Sequence, residues 1–151
     1  MSDLIDLINA LVVFLQSKSF TSVNGSSPTI TRKTVGGSNE VETYAAPVIE
    51  VFPFSSSNRR FDRSSYRNAR QLRIALVYRI EQENDALRQV EEDAFFEVLE
   101  ELESYLWAFK PANFSPAIES LERNDIDAEA YTVDGMMVSL IDLTFSRVID
   151  V

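Results

Sequence analysis

The chain contains no cysteine and no histidine. The first absence removes disulfides, thiol nucleophiles and thiolate metal ligands, so nothing ties the chain to an oxidising compartment. The second removes imidazole general bases and the usual zinc sites. Serines are plentiful, but none stands in a G-x-S-x-G elbow and no histidine exists to activate one. A glycine-rich phosphate loop and an alternating βαβ series are also missing, which argues against a nucleotide-binding fold. Basic residues are scarce: 14 Lys and Arg face 24 Asp and Glu, for a formal net charge of −10. Such a surface does not bind DNA or an anionic membrane indiscriminately. The apolar run LINALVVFL at residues 7–15 is too short to span a bilayer. Asp3 and Asp6 precede it where a signal peptide wants positive charge, and Gln16, Ser17 and Lys18 follow in place of a cleavage site. It reads as a buried amphipathic helix, and no membrane partner is expected.

What remains is enough for one well-filled domain, residues 1–151. The composition is 45% hydrophobic with ten Phe, and a domain of this length buries roughly 70% of its unfolded surface. Ser2 suits an N-cap, Asp3 and Asp6 suit a helix N-terminus, and Leu4, Ile8, Leu11 and Leu15 recur at helical spacing, with Ile5 and Val12 widening the stripe. The spacing predicts a helix over residues 3–18. The turn formers of SVNGSSPT follow, then TITRKTV at 29–35, rich in β-branched residues. Gly36 and Gly37 punctuate the passage to a second extended stretch at 40–54, interrupted at Pro47, which cannot donate to a ladder and belongs at a bulge or an edge. The two stretches are expected to pair as a hairpin.

QLRIALVYRIEQ alternates cleanly: Leu72, Ile74, Leu76, Tyr78 and Ile80 share one face, and Arg73, Ala75, Val77 and Arg79 the other. A long helix is predicted from Asn84 or Asp85 to about Phe109. Its stripe is Leu87, Val90, Ala94, Val98, Leu102, Tyr105 and Phe109, broadened by Phe95, Leu99 and Leu106, and Pro111 ends it. Residues 114–123 read as a connector with one helical turn, 126–133 as a weak strand, Asp134-Gly135 as a hairpin turn and 136–148 as the closing strand. The fold class is therefore α+β: a mostly antiparallel sheet packed by an N-terminal helix and one long central helix.

Carboxylates cluster in Glu91-Glu92-Asp93 and in Glu100, Glu101 and Glu103. On a helix they spread over an outer arc, as a solvated face does. Asp125, Asp127 and Glu129 alternate, but the stretch lacks the central Gly and terminal Glu of a calcium loop. No catalytic constellation, metal site or cofactor site emerges, and no enzymatic activity is expected. Phe96 and Trp107 fall off the helix stripe; their size favours burial, with an interface role as the alternative.

The feature without an ordinary explanation is FSSSNRRFDRSSYRNARQLR, residues 54–73. It holds six of the chain's fourteen basic residues. It reads as a long Arg-rich loop at about 55–70, longer than hairpin loops usually run. A solvated loop balancing an acidic domain is one explanation. A docking arm is the other, because the guanidinium fork bonds carboxylates in pairs and stacks on aromatic rings. The candidate interface residues are Arg59, Arg60, Phe61, Arg63, Tyr66, Arg67 and Arg70. A basic arm on an acidic body also suits head-to-tail self-association.

An apolar N-terminal helix, strands ending PVIEVFPF, the polar Arg-rich excursion, RIALVYRIE, a long acidic helix and a last hairpin ending LIDLTFSRVI together resemble the tail terminator (tail-completion) proteins of long-tailed phages. The resemblance spans most of the chain and rests on element order, length and texture. It implies a non-enzymatic structural subunit of the virion, assembled in the host cytoplasm into a hexameric ring at the tail–neck junction. Such a ring would cap the tail tube protein, end its polymerisation and receive the neck or head-completion protein, while genome DNA passes the lumen without specific binding. Residues 54–70 would be the part that reaches the tube. Two other readings stand beside it: a different head–tail connector or minor tail protein, and a non-viral adaptor domain that binds an acidic protein partner through the Arg-rich segment.

Overall fold

The computed structural model describes the backbone of residues 3–33, 46–60, 65–80, 84–111, 120–124 and 135–150. The first element, α1 (Asp3–Gln16), buries Leu7, Ile8, Leu11 and Leu15. Leu7 takes the place expected for Ile5, which lies 37% exposed off the buried face. The helix stops before Lys18: the Ser17 N–H is shared between the Val13 and Phe14 carbonyls at 3.2 Å, and the Ser17 hydroxyl donates to Phe14 O at 2.6 Å. This tightened last turn satisfies carbonyls that a helix end leaves open. Ser2 lies outside the described residues.

The long helix, α2 (Asp85–Ala108), starts where Asn84 caps it. The Asn84 Oδ1 accepts from the N–H groups of Ala86 and Leu87 at 2.9 and 3.2 Å, filling two orphan donors of the first turn. Its buried side is Glu91, Phe95, Val98, Leu99, Leu102 and Leu106. The stripe therefore begins a turn later than the spacing predicts, and Leu87 and Val90 stand 51% and 64% exposed. Periodicity fixed the helix but left the first turn's direction to tertiary packing.

Five strands form one sheet in the order β1-β2-β3-β5-β4: β1 (Thr29–Arg32), β2 (Val48–Arg60), β3 (Ser65–Arg79), β4 (Ser120–Asn124) and β5 (Met136–Asp150). All neighbours are antiparallel except β1 and β2. The architecture is α+β, as the element order implies. The expected hairpin between the first two strands is corrected: they run parallel, in the register Thr29↔Val48 to Arg32↔Val51. Residues 33–47 supply the dozen or more residues that a return to the same end of a sheet needs. Pro47 directly precedes β2, where only its carbonyl is used, accepting the Thr29 N–H at 3.0 Å.

Two further expectations change. Residues 55–70 are not one long loop: β2 and β3 pair from Ser55↔Gln71 to Arg60↔Tyr66. The ladder is made by backbone groups, which serine, asparagine and arginine carry as well as valine does, so a polar sequence hid it. Within the stretch read as a connector, residues 120–124 form the edge strand β4, paired to β5 from Ser120↔Thr144 to Asn124↔Leu140. The weak strand expected at 126–133 lies outside the described residues. Gly135 opens β5 at φ +68°, and a Cβ there would stand 2.9 Å from Ile80 O, so the position requires glycine on both counts.

One face of the sheet carries Ile49, Val51, Leu72, Ile74, Leu76, Tyr78, Met137, Ile141, Leu143 and Phe145, which join the buried sides of α1 and α2 in a single core. Phe109 links the layers, with its ring 5.2 Å from Phe14 and 5.9 Å from Phe145. On the opposite face, Ala75 and Val77 are also buried; the register sets Val48 and Val138 beside Val77, and Glu50 and Leu140 beside Ala75. There the Lys33 Nζ pairs with Glu50 at 3.3 Å.

Candidate docking surface

Beyond the helix-covered core, three strands continue without flanking partners among the described residues. β1 reaches only Val51 on β2, and β4 reaches only Thr144 on β5. From Ser55, β2, β3 and β5 run on as a three-stranded ribbon whose last rows are Arg59–Arg67–Val148 and Arg60–Tyr66–Ile149. The register shifts between Pro53 and Ser55, since Pro53 pairs with Leu72 and Ser55 with Gln71. Pro53 sits just past the end of β1, where a missing donor costs the sheet nothing.

The ribbon gathers most of the residues expected at an interface. Arg59 and Arg60 end β2; Tyr66, Arg67 and Arg70 lie on β3. Phe61 and Arg63 lie outside the described residues. Register also adds a residue the sequence reading missed: Arg147 pairs with Asn68. Only the pairing of β5 with β3 reveals it, because Arg147 is 77 or more positions from the others. Over residues 55–60, 65–70 and 145–150 the ribbon therefore holds five arginines, at 59, 60, 67, 70 and 147, against one acid, Asp150. Arg59 stands directly opposite Arg67.

Arg73 belongs to a different category. Its Nε and one terminal nitrogen donate to the two carboxylate oxygens of Asp142 at 2.7 and 3.0 Å, in the paired fork geometry. The hydrogen bond from Arg73 to Asp142 raises the arginine's pKa further above its already high value; burial opposes it, and the charge of that carboxylate adds to the rise. It ties β3 to β5 at the ribbon's base and is committed within the fold. Arg70, three positions along β3 and so on the other face of the sheet, is half-buried and donates to Ala69 O at 3.1 Å.

The acidic counterpart lies on α2, which carries eight acids and one base, Arg88. Glu103 pairs with Arg123 of β4 at 3.3 Å. Glu101 accepts the Thr21 N–H on both oxygens at 2.9 and 3.2 Å, tying the segment after α1 to α2. Phe96 and Trp107 are 38% and 56% exposed, so the expectation of burial is corrected for both. Eleven residues separate them, close to three turns, which puts them on one side of the helix. Among the described residues no group of His, Cys, Asp or Glu could hold a metal ion, and no helix is long and apolar enough to cross a membrane. The chain matches no protein-family model, and no curated protein matches it.

Proposed function

We propose that this protein is a structural subunit that docks onto other proteins through its arginine-bearing ribbon, in the manner of a phage tail terminator. On that reading it forms a ring at the tail–neck junction of a virion, caps the tail tube, ends its growth and offers its other face to the neck protein. The observation that carries the reading is the ribbon itself: five arginines on three strands that outrun their own core, attached to a body with a formal net charge of −10. Guanidinium groups suit protein interfaces because each can bond a carboxylate twice and stack on a ring. The acids of α2 fit a channel component, since they repel passing DNA.

The test is co-sedimentation with cognate tail tubes. Wild-type protein should bind tube ends and halt elongation. The R59A/R60A/R67A variant should lose that binding while its circular dichroism spectrum stays unchanged. Equal binding by the variant would overturn the assignment of the ribbon, and tubes that grow past the wild-type protein would overturn the capping role.

A further inference from the structure

Among the chain's glycines only Gly25 follows an asparagine. Asn24 and Gly25 form the tip of a tight turn between α1 and β1. The Val23 N–H donates to Ser26 O at 2.9 Å and the Ser26 N–H to Val23 O at 3.0 Å, with φ +50° at Asn24 and +79° at Gly25. Two positive φ angles inside a pair of mutual hydrogen bonds define the turn that Asn-Gly favours. Both tip residues are exposed, and a Cβ built on Gly25 would meet nothing within 4 Å. Neither the Asn24 amide nor the Gly25 N–H has a hydrogen-bond partner among the described residues. The root of the turn is different. Val23 is fully buried in the core, and a cavity of about 150 Å³ lies between the turn and the first turns of α2, lined by Ser22, Asn24, Leu87, Val90, Glu91 and Ala94. Glu91 is 5% exposed, a carboxyl already held out of bulk water.

An asparagine amide is chemically labile because the backbone nitrogen of the next residue attacks its carbon. Glycine covers that nitrogen least, having no Cβ. We propose that Asn24 is a site of spontaneous deamidation whose product weakens the seat of this turn on α2. The Gly25 nitrogen bonds to Asn24 Cγ, the Cγ–Nδ2 bond breaks, and the amide nitrogen leaves as ammonia with the Gly25 proton. Water then opens the five-membered imide. Cleavage at Cγ gives aspartate at position 24; cleavage at the main-chain carbonyl gives an isoaspartyl link, which lengthens the backbone by one atom. Ring closure needs the turn to open, and its two bonds sit at an exposed tip, where local opening costs least. Asn9 and Asn84 lack these features. The Asn9 Oδ1 accepts from Arg32 ahead of Ala10, and the Asn84 Oδ1 caps α2 ahead of Asp85. The longer backbone cannot keep both Val23–Ser26 bonds in their present register. Either product also adds a carboxyl to the cavity that Glu91 lines, where like charge disfavours ionisation of both.

Peptide mass spectrometry tests the modification. Trypsin releases residues 19–32, which contain one asparagine and no aspartate, glutamate or glutamine, so any acid found there arose at position 24. In full-length protein aged in mildly alkaline buffer this peptide should convert with time to aspartyl and isoaspartyl forms. A sample aged in urea sets the rate without the turn. Conversion in urea with none in the folded protein would show that the turn shields Asn24 and would overturn the site. Urea denaturation of N24D tests the consequence: its midpoint should fall below that of wild type, and the fall should shrink when E91Q is compared with N24D/E91Q. An equal fall in both backgrounds, or none, would overturn the link to α2. Should E91Q fail to fold, aged wild-type protein fractionated by charge supplies the second reading. Its isoaspartyl fraction should be cut faster by trypsin after Lys18 than the unmodified fraction, and equal rates would overturn the link.

Discussion

The strands β2, β3 and β5 each contain two regions of opposite character. In the first, Ile49, Val51, Leu72, Ile74, Leu76, Ile141 and Leu143 lie under the two helices and are fully or almost fully buried. In the second, from the Ser56–Arg70–Phe145 row outward, the same ladders continue with Ser, Asn and Arg and, among the described residues, without the flanking strands. Backbone pairing is common to both, so pairing does not decide what a strand is for. The side chains decide it: one region gains its stability from apolar area removed from water, and the other carries polar and charged residues where the first carries its apolar face.

The comparison can be broken most sharply in the core. Leu102→Ala should cost about 2–5 kcal/mol, read by urea denaturation, because Leu102 is 0% exposed between α2 and the sheet. At the boundary, Arg73→Ala should cost about 1–3 kcal/mol by leaving Asp142 half-buried without its fork. Replacing both partners with leucine should recover most of that loss, a result that would mark the pair as a joint between regions and not as a site. Asn84→Ala should cost about 1 kcal/mol in thermal unfolding, the usual loss for a helix cap, and should not alter docking. Smallest of all, R59A/R67A should change stability by no more than about 0.5 kcal/mol, the usual range for a substitution away from the core. A loss there comparable with Leu102→Ala would erase the distinction between the two regions.

The helix-covered region was legible in the sequence because burial leaves a period. Leu72, Ile74, Leu76, Tyr78 and Ile80 alternate and are all buried, and α2 follows its apolar spacing from Phe95 onward. The ribbon left no such trace. SSSNRR and SYRNAR have no apolar face to alternate, so the same backbone geometry reads as a loop. The direction of β1 was hidden for another reason: hairpin and crossover differ in the path of the connection, not in the strands it joins. At the docking surface, the arginines were visible as a cluster but Arg73 could not be set apart from the rest. Its partner Asp142 is 69 positions away. The tie between α2 and the segment after α1 was equally out of reach, because Thr21 and Glu101 are brought together across 80 positions.

The slip between Pro53 and Ser55 has a genetic counterpart. Phe54 is the one residue of β2 that the β3 register passes over. Deleting its codon would join Pro53↔Leu72 to Ser55↔Gln71 without moving any other partner, so both arms would keep their faces while the kink between them was ironed out. A single three-base change thus separates how the arm is aimed from what the arm carries.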